Sequence, residues 1–215
     1  MYLPGKIELQ VDHLNNNPGT GMVYTSAYCI NDKGERVKHT YEATVSGLIY
    51  RSIAFFTRVT ITLPTVMTYR EVIDTVGGFD EQMHRFEDTD MWRRISKAYR
   101  IDALPAYTCL LRTHEENSLS SQDPDQIALA LEYYAKKIME EDIDVDLAVR
   151  KKGVADLYFY YAQALRTVPE FSKKGRELLR IANRYEPLVF RLARFVYHRI
   201  YLRVKRKLKR MLTGS

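Results

Sequence analysis

Two acids stand side by side in Phe86-Glu87-Asp88-Thr89-Asp90-Met91-Trp92-Arg93-Arg94, where a helical pattern begins. A carboxylate at a loop–helix junction is well placed to act as a general base, because it can reach a substrate hydroxyl while the helix holds its backbone. The same residues also suit a purely structural end, since Asp and Glu in a first helical turn cap free N–H groups and favour the helix dipole. Just upstream, Val76-Gly77-Gly78-Phe79-Asp80-Glu81 sets two glycines in succession, which lets backbone approach a ligand closely or stops a helix. Taken alone, the residues leave both pairs of roles open.

The elements that must position these groups can be read from apolar periodicity and turn residues. Lys6 to Leu14 has helical spacing with Ile7, Val11 and Leu14 on one face, closed by Asn15-Asn16-Asn17-Pro18-Gly19. Met22 to Ile30 is β-branched and aromatic, and Asn31-Asp32-Lys33-Gly34 turns it into a polar return strand over 36–41. A helix is expected over 46–58, a short strand over 61–69 interrupted by Pro64, a helix over 70–76 ending at Gly77-Gly78, and a helix over 87–99 with Trp92, Ile95 and Tyr99 inward. An extended run follows over 101–111. Beyond Pro124 the texture becomes helical, with segments over 124–141, 144–167, 172–185 and 188–212. The middle pair is similar to one tetratricopeptide-type unit through Ala162, Ala164, Leu178, Ala182 and Pro187, although such arrays need about three copies to stand alone. The polar stretch before Pro124 divides residues 1–122 from a helical extension over 123–215.

The order and spacing of Val-Gly-Gly-Phe-Asp-Glu, then Glu-Asp-Thr-Asp-Met-Trp-Arg-Arg-Ile, then Arg112-Thr113-His114-Glu115-Glu116-Asn117-Ser118 resemble the family 2 glycosyltransferases of the GT-A fold. Pro4 to Val11 resembles the helix that follows the metal-binding Asp-x-Asp of that family, and Gly21 to Tyr24 with Asn31 to Gly34 resembles its next strand and turn. The likeness covers about residues 2–120. It implies an α/β chain: a partial GT-A, Rossmann-like sheet with flanking helices, followed by an all-helical C-terminal extension.

The resemblance further implies inverting transfer of a sugar from a nucleotide-sugar donor to a glycan or lipid-linked acceptor hydroxyl, in polysaccharide biosynthesis. Asp88 takes the role of base and Glu87 orients the acceptor or its loop. Gly77, Gly78, Thr65, Arg112 and Asn117 are the substrate-binding candidates, and His114 is the candidate metal residue for a Mg²⁺ or Mn²⁺ ion. For His114 a loop histidine bonded to backbone is the competing reading, and for Arg112 a surface ion pair. The nucleotide-binding half and the Asp-x-Asp of the family have no counterpart here; Asp88-Thr89-Asp90 lies inside the base motif and Asp142-Ile143-Asp144 between helices. The expectation is therefore a truncated, catalytically incomplete part of a longer enzyme, with Met1 an internal methionine, that binds nucleotide sugar weakly. Losing leading strands would leave Met22–Ile30 at an open sheet edge, a route to a homodimer. The alternative function is a non-catalytic binding or scaffold protein.

Composition narrows the partners. The formal charge of +6 hides an asymmetry, since residues 191–210 carry nine Lys and Arg and no acid, leaving 24 bases against 27 acids elsewhere. With an apolar stripe from Val189 to Met211, residues 189–212 have the form of a helix that lies on an anionic membrane surface or packs its stripe on the preceding helices with its bases in water; nucleic acid is disfavoured because no base-stacking motif accompanies the charge. No run approaches the ~18 apolar residues of a membrane span. Cys29 and Cys109 form no metal or disulfide pattern, which fits a reducing compartment, cytoplasmic or peripheral on the inner face of the membrane.

Overall fold

The computed structural model describes residues 1–55, 59–113 and 122–187. It is a mixed α/β structure built round one central strand, β1 (Thr20–Ile30), in which every residue except Tyr28 is buried. Continuous burial of this kind belongs to a strand that has partners on both edges and cover on both faces. On one edge β1 pairs in parallel with β4 (Arg100–Arg112), from Thr20 opposite Arg100 to Ile30 opposite Arg112. On the other edge two short strands divide its length, both antiparallel. β2 (Arg36–Tyr41) meets the C-terminal part and β3 (Val66–Thr68) meets Met22 to Tyr24.

The strand expected to lie open at an edge is thus internal, and its parallel neighbour comes from later in the chain rather than from a missing leader. On the β4 side, among the described residues, the sheet is bounded by the outer edge of β4. That edge is met near its start by Gly47, which exchanges two hydrogen bonds with Ile101. Near its end Met1 and Leu3 run antiparallel beside it, with Leu3 N donating to Thr108 O at 2.8 Å and Leu110 N to Met1 O at 2.8 Å.

Helix α1 (Lys6–Asn16) forms as expected but turns a different face inward. Ile7 and Val11 are exposed, at 54% and 39%, while Lys6, Gln10 and Leu14 are buried. The inward polar groups satisfy one another: Lys6 Nζ donates to Gln10 Oε1 at 2.5 Å, Gln10 Nε2 donates to the Thr65 carbonyl at 2.8 Å, and the Lys6 ammonium lies 4.5 Å from the Tyr2 ring centroid. Apolar spacing misidentifies the face because this closed polar set offsets the cost of burial. The expected helix over 46–58 is shorter, α2 (Tyr50–Ala54), and the expected strand over 61–69 splits at Pro64 into a 3₁₀ turn (Leu63–Thr65) and β3. Pro64 has no N–H to give a ladder, so the strand starts after it.

Helices α3 (Arg70–Val76) and α4 (Glu87–Ala98) cover the sheet, with Met22, Tyr24, Ile53, Ile61, Val72, Met91, Trp92, Ile95 and Ile101 forming the core between them. A second core lies among α5 (Pro124–Glu141), α6 (Leu147–Arg166) and α7 (Ser172–Tyr185), three helices within a residue or three of their expected bounds. Asp123 caps α5 through Asp125 N and Asp146 caps α6 through Ala148 N and Val149 N. This second core also takes in Ala54, Phe55 and Met83 from before residue 122, so the helical extension packs directly on the α/β part. At Gly153 the approach is closest, since a Cβ there would lie 2.2 Å from the Phe55 ring.

Candidate functional site

The acid pair sits where the chain enters α4. Phe86, the residue before the helix, is in the left-handed region at φ 67° and ψ 14°, and no other non-glycine among the described residues has positive φ. An L-residue with a bulky side chain takes up that conformation at a cost of roughly 1–2 kcal/mol. The Phe86 ring is fixed in place by Tyr134 of α5 and Tyr161 of α6, at centroid distances of 5.9 and 5.6 Å. Strain of this sort concentrates at functional sites, where surrounding packing overrides local preference.

Beyond Phe86, Glu87 is exposed and Asp88 turns into a cavity of about 340 Å³. Its walls come from four places: Tyr41 at the end of β2; Ile53 with Val59 to Thr62; Phe86, Thr89 and Trp92 on and before α4; and Tyr160 with Tyr161 on α6. Asp88 is the single carboxylate among the described lining residues. Its Oδ1 accepts from Thr89 N at 2.6 Å and Thr89 Oγ1 at 3.2 Å, and Oδ2 carries no hydrogen bond among the described residues. Burial raises the Asp88 carboxyl above its ordinary range, and the Thr89 hydrogen bonds only partly offset this. Two further lining residues hold buried polar atoms with no partner among the described residues, Thr62 Oγ1 and Trp92 Nε1.

Asp90 and Asp80, by contrast, are tied up in ion pairs, while Glu87 does not line the cavity. Asp90 is fully buried and accepts from Arg93 at 2.8 Å and from Arg94 Nε at 2.9 Å. Burial would raise its carboxyl, but Arg93, Arg94 and Lys137 together hold it below the ordinary range. Arg94 then reaches the glycine loop, donating from Nη1 to the carbonyls of Val76 at 2.7 Å and Gly77 at 2.9 Å and from Nη2 to that of Gly78 at 2.9 Å. Gly77 ends α3 at φ 85°. Asp80 ties the loop's other end to α5, accepting from Lys137 at 2.6 Å and Tyr133 at 3.0 Å. The glycine pair is thus a helix stop clamped by an arginine, and neither glycine lines the Asp88 cavity.

Thr65 is also placed away from it. Fully buried, it donates Oγ1 to the Thr62 carbonyl at 2.7 Å, and its own carbonyl accepts from Gln10. The neighbouring Thr60 and Thr62 line the cavity instead. Arg112 is exposed and donates to the carbonyls of Asn31 at 3.1 Å and Asp32 at 2.6 Å, bracing the β1–β2 turn. His114 and Asn117 lie outside the described residues, as does the basic segment 189–212. Among the described residues no group of three or more His, Cys, Asp or Glu is arranged to hold a metal ion, and no helix is long and apolar enough to cross a membrane. Cys29 and Cys109 are both buried free thiols.

Sequence reasoning missed Tyr41, Thr62, Phe86, Tyr160 and Tyr161 as wall residues. One signal was available: Tyr158-Phe159-Tyr160-Tyr161 places four aromatics in succession on a helix, and at 3.6 residues per turn they point to every side, so at least one must leave the core. Comparison with protein-family models and with curated proteins returns no match for this chain.

Proposed function

We propose that the chain is the acceptor-side part of an inverting glycosyltransferase, with Asp88 as its base. The observation that carries this reading is the single desolvated carboxylate in a cavity lined by threonine hydroxyls and aromatic rings, at the helix start where the resemblance to family 2 glycosyltransferases puts the base. A carboxylate raised by burial is a stronger proton acceptor than an ordinary one, the property that base catalysis needs. Asp88 Oδ2 takes the proton of the acceptor hydroxyl as its oxygen bonds to the anomeric carbon of the donor sugar. The nucleoside diphosphate departs from the opposite face with the electron pair of the broken C–O bond. Arg94 and Asp90 serve by holding the loop and helix from which Asp88 projects.

A Mg²⁺ or Mn²⁺ ion would stabilise the departing diphosphate. The described residues do not form a site for it, and the chemistry assigned to this chain is that of Asp88. The donor is a nucleotide sugar, the acceptor a glycan or a lipid-linked glycan, and residues 189–212 bring the chain to an anionic membrane surface. The test is transfer of labelled sugar from UDP-, GDP- and dTDP-sugars to glycan acceptors with Mn²⁺ present. Asp88→Asn is expected to lower turnover by about 100-fold or more at unchanged acceptor binding. Transfer that survives Asp88→Asn would remove Asp88 as the base, and acceptor binding without transfer even where a donor-binding part is supplied would replace this reading with that of a non-catalytic binding protein.

A further inference from the structure

We infer that Tyr160 and Tyr161 of α6 form the wall that selects the acceptor, stacking a pyranose ring at the mouth of the Asp88 cavity. This rests on reading that cavity as a glycosyl acceptor site, and it gives the helical extension a part in substrate choice. Tyr160 is 61% exposed although it lines the cavity, so a face of its ring is open to solvent at the entrance. Tyr161 stands against it nearly at right angles, 5.2 Å between centroids and 83° between planes, and leans on Phe86 deeper in. The two rings make a corner with one apolar face outward and the Asp88 carboxylate beyond it.

Saccharide rings match that arrangement better than other ligands of the same size. A pyranose has an apolar C–H face, which an aromatic ring can cover, and a rim of hydroxyls, which need donors and acceptors. The cavity offers both sets: aromatic surface from Tyr160 and Tyr161, and polar side chains in Asp88, Thr60 and Thr89. Its volume of about 340 Å³ is at the lower end of the roughly 300–1,000 Å³ of small-molecule sites, suited to one or two rings rather than a long chain. Tyr41 and Thr60 complete the opposite side.

Trp92 is the sole tryptophan of the chain and lines the cavity, so its fluorescence reports occupancy directly. The native chain would be titrated with methyl pyranosides of gluco, galacto, manno and rhamno configuration, alongside Tyr160→Ala, Tyr160→Phe and Asp88→Asn. At least one pyranoside is expected to shift the emission saturably in the millimolar range. Tyr160→Phe should keep that affinity within about twofold and Tyr160→Ala should weaken it about tenfold, the effect of truncating a stacking anchor. Because Tyr160 is exposed, both Tyr160 variants should share the native melting temperature within about 2 °C. Equal affinity for Tyr160→Ala and the native chain would overturn the wall while leaving Asp88 as base intact. Loss of binding in Tyr160→Ala together with full transfer by Asp88→Asn would leave the wall standing and remove the base. Absence of any response to all four sugars would overturn the wall.

Discussion

Burial of Asp88 disfavours its ionised form. Its carboxyl is raised above the unfolded value by burial, so the folded chain binds that proton more tightly than the unfolded chain does. The stabilising contribution of the neutral form is complete below the ordinary carboxylate range and is lost as pH rises through the raised value. Once ionised, the group therefore works against folding. Asp88→Asn is expected to raise the melting temperature at pH 7 by about 1–3 °C, with the gain vanishing as the pH falls below the ordinary aspartate range. Thermal melts of the two proteins across pH 3 to 7 check it. The place of this residue at a helix start was legible in the sequence, because two adjacent acids after a glycine pair form a recognisable pattern. The division of labour within Glu87-Asp88-Thr89-Asp90 was not legible. Which acid meets the cavity and which meets Arg93 and Arg94 depends on the 100° step between helix positions and on partners dozens of residues away.

At the scale of elements, the contact between α2 and α6 joins the two parts of the chain. Gly153 lets the Phe55 ring lie against the α6 backbone, where a methyl group would come within 2.2 Å of ring carbons. Gly153→Ala gains helix propensity of about 1 kcal/mol but forces that ring aside, and a net loss of about 1–3 kcal/mol is expected by urea denaturation. A second variant shows whether the contact is the cause: Phe55→Leu combined with Gly153→Ala should recover much of the loss. Helix positions were largely readable. The bounds of α5 and α7 follow from Pro124, Asp123 and the apolar spacing, and Gly77 marks the end of α3. Faces were harder to read. Helix α1 buries Lys6 and Gln10 because Thr65 and Tyr2 supply their partners, and no local pattern announces partners that arrive from another part of the chain.

Over the whole molecule, Arg93 is a buried junction of charges. With no exposed surface, it pairs with Asp90 at 2.8 Å, Asp142 at 2.5 Å and Glu141 at 2.6 Å, and so joins α4 to the end of α5. Removing one member of a buried ionic cluster leaves its partners uncompensated, and Arg93→Ala is expected to cost about 3–5 kcal/mol of unfolding free energy. Chemical denaturation would show it as a lower midpoint, and a loss under about 1 kcal/mol would mean that Lys97 and Lys137, which also reach Asp142 and Asp90, take over the charge. The mixed α/β class was readable from alternating strand and helix signals. The strand order was not, because β4 joins β1 from about 80 residues downstream and a separation of that length leaves no trace in either segment.

That pairing also sets a timetable during synthesis. β1 and β2 leave the ribosome together and can close as a hairpin at once, but the second edge of β1 waits for Arg112. At the usual 5–20 residues per second the wait is about 4–16 s. For those seconds a nascent strand rich in Val, Tyr and Ile presents unpaired backbone to every neighbouring chain on the same message. Slower translation ahead of residue 100 would lengthen the exposure and lower the soluble yield.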